Sequence, residues 1–376
     1  MASPLISYPP YASSMTRTAA WLMEQHMEGR LPLPGAIVQG LLNAGVEYQY
    51  RFARTLPDLL PEWRGSDGPI ADRSEDLMRV HYDKPLALFE NFLGPTMKYT
   101  MALWERGAKS LEEAQAAMMD DLCAKAGVQD GDAVLDIACG FGSLSAHILQ
   151  RYPHSEVVAL NLSRTQVDYI QAQQSEPGHP FHTERFRVIR EDFAKADLNQ
   201  RFDRVFVIGL FEHIHNLRAA LERISQYLAP DGTVLIHFIA YNRVIRALGD
   251  PESDVFLGRH IFPGGRIWNF HELPRYQEHL RTERSWFMNG LNYKRTVEVW
   301  HRNFWQNIAR IRTHPELDER FLRAWDLYLR LCIAVFGGMG GRNVGNGQYL
   351  LRHAGSAAVR PDAAVPSVGA EAPPRA

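Results

Sequence analysis

The chain has 376 residues, a length that suits one large domain or two ordinary ones. Hydrophobic residues make up 45% of it and charged residues 22%, which is typical of a globular protein with a sizeable core. The formal net charge of -2 and the lack of any Lys/Arg block exclude a nucleic-acid footprint, so we expect no nucleic-acid partner.

The chain has three cysteines, Cys123, Cys139 and Cys332. Their spacing excludes a disulfide framework and a zinc site, so we predict no metal and a cytoplasmic location. The N-terminus lacks the pattern of a signal peptide, and no apolar run reaches the ~18 residues of a membrane span. The composition is compatible with peripheral membrane contact and with a homodimer.

The predicted elements begin with a Pro-, Ser- and Tyr-rich arm over residues 1–14. Two helical patterns follow over 16–53, separated by two prolines. A Pro-, Gly- and Asp-rich stretch predicts a linker over 55–75. We interpret residues 1–75 as an arm and a helical segment that serves as a lid or an oligomer contact.

Residues 76–240 form the predicted core, in which apolar strands alternate with helical patterns. A first helix over 110–127 begins at Ser110, a plausible N-cap with Glu113 three residues later. The strands are predicted at 133–138, 157–160, 187–190, 204–208 and 232–239, and the intervening helices at 143–150, 163–174 and 217–228. This alternation predicts a parallel, doubly wound α/β sheet.

Residues 241–346 break the alternation and are rich in Trp, Phe, Tyr, Arg and His. We interpret them as a cap region with helices over 297–312 and 318–336. Residues 347–354 are predicted to return as a final core strand. Residues 355–376, dominated by Ala, Pro and Ser, are typical of a disordered tail.

The strongest single signal is the segment VLDIACGFGS, which runs from Val134 to Ser143. A buried strand ends in Gly140-x-Gly142 and enters a helix whose free N-terminal amides can bind a negative group. Glycines allow a ligand to approach the backbone where a Cβ would collide. Asp136 could hold an ammonium group or position water. We therefore predict a cofactor loop over residues 136–143, beyond the carboxyl end of its strand.

Neighbouring positions restrict the kind of cofactor. Ser145 stands where the dinucleotide pattern has its third glycine, and no Gly-Lys-Ser/Thr follows, so NAD and nucleotide triphosphates are disfavoured. Asn161, at the end of the second strand, can hydrogen-bond a ribose hydroxyl, although an acid is more usual there. Asp192 can take an adenine amine, and Phe193 can stack on the ring.

These residues resemble class I methyltransferases that depend on S-adenosylmethionine (SAM). Five further segments narrow the resemblance: HYD at 81–83, LGPTMKYT at 93–100, NLSRTQ at 161–166, FEH at 211–213 and FPGG at 262–265. In this order they resemble the cyclopropane fatty acid synthase superfamily, over about residues 80–352.

Within that superfamily the closer likeness is to enzymes of the coclaurine N-methyltransferase type. The segment EHIHN from Glu212 to Asn216 lacks the glycine-containing insert of the synthases, and WFMNGLNY at 286–293 is similar to the N-methyltransferases. The resemblance implies a Rossmann-like, doubly wound and mostly parallel seven-stranded sheet. It also implies an N-terminal helical segment and an inserted α-helical, aromatic cap that binds the acceptor.

The resemblance implies SAM as cofactor and assigns roles by position. The implied SAM-binding residues are Tyr99, Thr100, Asp136, Gly140, Gly142, Ser143, Asn161, Leu162, Gln166, Asp192 and Phe193, with Tyr99 and Thr100 at the methionine end. The implied acceptor-site or catalytic residues are Tyr82, Asp83, Glu212, His213, His237 and Tyr293. His237 lies in an apolar strand and fits a core position equally well.

We predict methyl transfer to a nitrogen of a small hydrophobic, aromatic amine. Glu212 and Asp83 suit attraction of the ammonium group, and His213, with a reference pKa near ~6.5, suits removal of its proton. Tyr82 and three cap aromatics could hold a cation through cation–π contact; these are Trp268, Phe270 and Trp286. Helical spacing predicts core positions for Trp300, Phe304 and Trp305.

The alternative reaction is carbon methylation or cyclopropanation at an alkene of a lipid or isoprenoid. The synthases use a Cys in a bicarbonate site where this chain has Met101, whose thioether offers an anion no useful donor. The counterparts of the other members of that site are Glu212, His237, Ile239 and Tyr293. Gly209 stands where alkaloid N-methyltransferases often have an additional Glu. A non-catalytic scaffold would predict loss of the loop glycines or Asp136, and neither is lost.

Overall fold

The computed structural model describes residues 18, 21–53, 68–71, 74–242, 246–247 and 255–356. The predicted arm over 1–14 lies outside the described residues. Most of the predicted linker and nearly all of the predicted tail also lie outside them, so these predictions stay untested.

A twisted sheet forms the centre of the described chain. Its strands are β1 (Ala133–Ile137), β2 (Glu156–Asn161), β3 (Phe186–Arg190), β4 (Phe202–Ile208), β5 (Leu228–Tyr241), β6 (Arg246–Ala247), β7 (Arg266–Asn269), β8 (Leu280–Met288) and β9 (Val344–His353). Seven of them follow the order β3-β2-β1-β4-β5-β9-β8, with β9 antiparallel to both neighbours and the strands β1 to β5 paired in parallel. The predicted seven-stranded sheet is confirmed, and β7 and β6 extend it beside the end of β5.

The strands are apolar on both faces because helices cover the sheet on both sides. In β4, Phe206 belongs to one hydrophobic cluster, whereas Val205 and Val207 belong to the cluster on the opposite face. The same alternation holds for Val134 and Leu135 in β1. The continuous apolar runs of the sequence therefore reflect double-sided burial.

Helices flank the strands of the sheet, and several of them begin at a side-chain cap. The α-helices are α1 (Gly35–Ala53), α2 (Ser74–Leu77), α3 (Leu86–Glu90), α4 (Leu111–Ala126), α5 (Ser143–Arg151), α6 (Arg164–Gln174), α7 (Leu217–Tyr227), α8 (Val255–His260), α9 (Gly290–Gln306), α10 (Ile308–Ile311) and α11 (Glu319–Gly337). Ser110 caps α4 by accepting from the Glu113 amide at 3.2 Å, as predicted. Ser163, Asn216 and Asp318 cap α6, α7 and α11 in the same way.

The structure differs from the prediction within the region interpreted as a cap. Strand β8 lies there but belongs to the core sheet, and β9 begins at Val344 rather than at 347. Charged residues, among them Arg281, Glu283 and Arg284, hide the strand pattern of β8 because an edge strand can turn such side chains to solvent. The two predicted cap helices correspond to α9 with α10 and to α11.

The N-terminal segment packs against α11. The Tyr50 hydroxyl donates to the Val335 carbonyl at 3.0 Å, and Arg330 Nη1 donates to the Gly35 carbonyl at 3.1 Å. Helix α1 therefore supports α11 from outside. Among the described helices, none has the length and apolar character of a membrane span.

Candidate functional site

Two adjoining cavities lie at the carboxyl ends of the parallel strands. The first, which we name the loop cavity, is bounded by the segments that follow β1, β2, β3 and β4. It contains every predicted cofactor-binding residue except Gly142: Tyr99, Thr100, Asp136, Gly140, Ser143, Asn161, Leu162, Gln166, Asp192 and Phe193. The topology thus brings together residues that span almost 100 positions of sequence.

Gly142 has a packing role behind this loop. Its φ of +78° is in the left-handed region, and a Cβ there would lie 2.6 Å from Phe181 Cζ. Gly140 also has a positive φ of +59° but lines the loop cavity, and a Cβ there would meet nothing within 4 Å. One glycine is therefore needed for close packing, and the other keeps the cavity wall free of a side chain.

Asp136 closes the inner end of the loop. Its side chain is buried, and Ser145 Oγ donates to Oδ2 at 2.7 Å. Burial raises the pKa of Asp136 to about 7, with the Ser145 hydrogen bond acting in the opposite direction. A cationic group in the loop cavity would stabilise the carboxylate.

Asn161 fixes the shape of the loop as well as lining it. Its Nδ2 donates to the Gly140 carbonyl and to Gln166 Oε1, each at 2.9 Å. Asp192 accepts from the Ala194 amide at 2.9 Å, which orders the turn after β3. Both side chains therefore order the wall of the loop cavity through hydrogen bonds within the chain.

The second cavity, which we name the aromatic cavity, lies between the sheet, α9 and α11. Nine ring-bearing residues line its wall: His81, Tyr82, Tyr99, His213, Phe262, Tyr293, Trp300, Tyr328 and Phe336. Among the described residues that line it, Glu212 is the sole carboxylate. A flat or cationic guest would meet ring faces on several sides and one acidic group.

Five residues line both cavities and form their junction: Tyr82, Tyr99, Thr100, Gly209 and His213. Gly209 has a φ of +70°, and a Cβ there would lie 3.3 Å from Thr100 Cγ2. A larger residue at this position would strain the backbone and narrow the opening. Two ligands, one in each cavity, would therefore face each other across this junction.

A short 3₁₀ turn after β4, Phe211–His213, positions Glu212 and His213 in the wall of the aromatic cavity. Glu212 Oε1 accepts from the Ile239 amide at 2.8 Å, whereas Oε2 has no hydrogen-bond partner among the described residues. His213 Nε2 shares a hydrogen bond of 2.9 Å with the Tyr82 hydroxyl. Burial raises the pKa of Glu212 to about 7 and lowers the pKa of His213 to about 3.

The structure does not bring two predicted acceptor-site residues to either cavity. Asp83 instead accepts from Ser163 Oγ at 2.7 Å and so ties its segment to the start of α6. His237 is fully buried in β5, and its ring nitrogens contact the amide nitrogens of Asn346 at 3.0 Å and Gln348 at 3.1 Å. His237 is therefore a hydrogen-bonded core histidine.

The predicted cap aromatics also lie elsewhere, which corrects that expectation. Trp268 is buried beneath the 3₁₀ turn and donates from Nε1 to the Phe211 carbonyl at 3.1 Å. Phe270 packs against Tyr349, and Trp286 contacts the Lys125 ammonium group, 4.8 Å from the ring centroid. Trp268 lies on β7, Phe270 follows this strand, and Trp286 lies on the edge strand β8. None of the three lines either cavity.

Several lining residues, among them His81, Lys98 and Tyr328, were not predicted from the sequence, and Trp300 was predicted only as a core residue. His81 precedes Tyr82 in a π-helical turn, Met78–Tyr82, and its Nε2 contacts the Tyr99 hydroxyl at 3.0 Å. Lys98 is buried in the wall of the loop cavity. Trp300, predicted as core alone, is buried and also lines the aromatic cavity. His81 and Lys98 lie in the HYD and KYT segments, which could have indicated that they belong to the site. Their burial, however, depends on tertiary contacts.

Comparison with known proteins identifies the family to which this site belongs. A model of the mycolic acid cyclopropane synthetase family matches residues 71–340, well over half of the chain. The chain belongs to the mycolic acid cyclopropane synthetase family. The resemblance found in the sequence is thereby confirmed.

The curated relatives of the chain include both a cyclopropane synthase and an N-methyltransferase. The chain is 30% identical over 263 residues to the cyclopropane-fatty-acyl-phospholipid synthase of Escherichia coli K12, covering 69% of this chain. It is 28% identical over 236 residues to a probable (S)-tetrahydroprotoberberine N-methyltransferase of Papaver bracteatum, covering 61% of this chain. The matched stretches span 63% and 64% of these relatives' own lengths.

Solved structures of family relatives confirm the fold. A coclaurine N-methyltransferase superposes with a TM-score of 0.81 at 22% identity, covering 89% of this chain and 99% of that one. A cyclopropane synthase of Mycobacterium tuberculosis has a TM-score of 0.63 at 26% identity, covering 76% of this chain and 99% of that one. The class I SAM methyltransferase fold predicted for the family is therefore present.

Proposed function

We propose that this protein is a SAM-dependent methyltransferase that methylates a nitrogen of a small hydrophobic, aromatic amine. One observation carries the proposal: a buried carboxylate with a free oxygen, Glu212, lies in a cavity walled by aromatic rings. That cavity meets the loop cavity at a shared junction. An acidic group among ring faces suits a cationic aromatic acceptor better than a hydrocarbon chain.

The loop cavity fits SAM by the chemistry of its residues. Asp136 suits an ammonium group, Asn161 and Gln166 suit ribose hydroxyls, and Asp192 with Phe193 suits an adenine. Structures of two family relatives were bound to S-adenosylhomocysteine (SAH). Bound SAM supplies a methyl group on a sulfonium, and the chain's own residues must hold the nucleophile beside it.

The pKa shifts of Glu212 and His213 indicate which of the two side chains takes the acceptor's proton. Near neutral pH the carboxyl of Glu212 is partly ionised, so it can take a proton from the acceptor's ammonium and free the lone pair. His213 is neutral, because its pKa of about 3 is too low for it to hold a proton. We therefore propose Glu212 as the proton acceptor and His213, hydrogen-bonded to Tyr82, as a positioning group. This reverses the roles expected from sequence.

The second candidate function, cyclopropanation or carbon methylation of a lipid or isoprenoid, is favoured by the identity with the E. coli synthase. The residues at the positions of the synthases' bicarbonate site give little support for such a site in this chain. Met101 is fully buried and lines neither cavity. The Ile239 amide already donates to Glu212, and both nitrogens of His237 are in contact with amide groups.

Product analysis separates the two candidates. The protein is incubated with methyl-labelled SAM and a mixed panel of aromatic amines and unsaturated phospholipids, and labelled products are identified by mass spectrometry. We expect label on the nitrogen of an amine, and its loss in Glu212→Gln. Label confined to alkene carbons of the lipids would refute the amine proposal in favour of the second candidate.

The proposed partner is a small-molecule acceptor. A homodimer, peripheral membrane contact and a cytoplasmic location remain proposals, and each has a direct measurement. These are light scattering of the purified chain, flotation with anionic vesicles, and fractionation of cells that express it.

A further inference from the structure

The wall of the loop cavity contains a buried lysine. Lys98 lies in the extended segment between α3 and α4, and its residue surface is 3% exposed. Its Nζ donates to the Met101 carbonyl at 2.9 Å and to Thr100 Oγ1. Both acceptors are neutral oxygens, and no carboxylate among the described residues forms an ion pair with it.

A second lysine, whose side chain is also mostly buried, differs from Lys98 in being paired with a carboxylate. The Lys125 side chain is 8% exposed and forms an ion pair with Asp121 at 2.7 Å. A buried ammonium group without a nearby anion is costly, because neutral oxygens replace only part of its hydration. Burial accordingly lowers the pKa of Lys98 to about 7. An anion, which the described chain does not supply, would therefore stabilise the charged form of Lys98, and this residue lines a ligand cavity.

Asp136 presents the complementary case in the same cavity. Its buried carboxylate accepts from Ser145, a neutral donor, and no cation among the described residues pairs with it. A cavity with one unpaired cationic side chain and one unpaired acidic side chain complements a zwitterion. An α-amino acid group has this character, because its ammonium and carboxylate are attached to one carbon atom.

We propose that Lys98 is the counter-ion of the carboxylate at the methionine end of SAM, opposite Asp136 as the counter-ion of the ammonium group. This inference rests on the proposed function, since it takes SAM as the occupant of the loop cavity. Thr100, held by Lys98, would then border the same carboxylate. Lys98 would then favour the binding of cofactors that retain the carboxylate of the methionine end.

The test compares two probes that differ in one carboxylate. Calorimetry measures binding of SAH and of its decarboxylated analogue, S-adenosyl-3-thiopropylamine, to the wild type and to Lys98→Met, Lys98→Gln and Lys98→Arg. We expect the wild type to prefer SAH by about 10-fold or more, as for a desolvated ion pair. The preference should fall to within a few-fold in the two neutral variants and be largely retained in Lys98→Arg.

The matched control is Lys125→Met, which removes a buried lysine that lines neither cavity and should leave the preference for SAH unchanged. Equal preference in the wild type and in both neutral variants would overturn the role of Lys98. Equal binding of the two probes by the wild type would overturn it without any variant. If the wild type binds neither probe, the proposed function itself fails.

Discussion

Replacing Glu212 by Gln should stabilise the protein in a pH-dependent way. Glu212 is 9% exposed, and burial raises its pKa from 4.5 to about 7. Between these pH values the folded chain binds more protons than the unfolded chain, so Glu212 makes stability fall as pH rises. The two pKa values differ by about 2.5, which corresponds to about 3 kcal/mol. Most of this penalty develops between about pH 5 and about pH 8.

The free energy of unfolding of Glu212→Gln, relative to wild type, should therefore increase by about 2–3 kcal/mol across that range. Urea titrations at both pH values measure it. Since Gln cannot accept the proton, methyl transfer should fall about 100-fold or more in the same variant. Glu272→Gln is the matched control, because this buried glutamate already has Tyr276 and Arg275 as partners and lines neither cavity. A pH-independent stability difference for Glu212→Gln, or wild-type turnover, would refute the reasoning.

Three further changes test the rest of the site. Tyr82→Phe removes the 2.9 Å hydrogen bond to His213, and steady-state kinetics should show kcat reduced by about 10-fold with little change in SAH affinity. Gly142→Ala forces a Cβ to within 2.6 Å of Phe181, and urea unfolding should show a loss of about 1–3 kcal/mol. Asp136→Asn removes the acidic end of the loop cavity, and calorimetry should show SAH affinity reduced by at least about 10-fold.

The cofactor loop could be predicted from sequence because its signal is local. Val134 to Ser143 contains a buried strand, two glycines and an acid in a fixed order, and each feature has a conformational or chemical cause within ten residues. The alternation of strands and helices gave the sheet for the same reason. Ser110 as the cap of α4 is another local signal that the structure confirms.

The aromatic cavity could be predicted only in part, because tertiary packing decides which rings face it. Trp268 and Trp300 are similar in the sequence, both large and within an aromatic-rich stretch. Strand β7 turns the first into the core beneath Phe211, whereas α9 turns the second toward the cavity. Likewise, nothing local distinguishes Lys98, which is buried without an acid, from Lys125, which is paired with Asp121.

The most direct test of the account is a crystal structure of the protein with SAH. The account predicts the amino-acid end of SAH at Asp136, its adenine beside Phe193, and its sulfur atom at the junction where Tyr82 and His213 meet Gly209. SAH bound outside the loop cavity, or with its sulfur turned away from that junction, would contradict it.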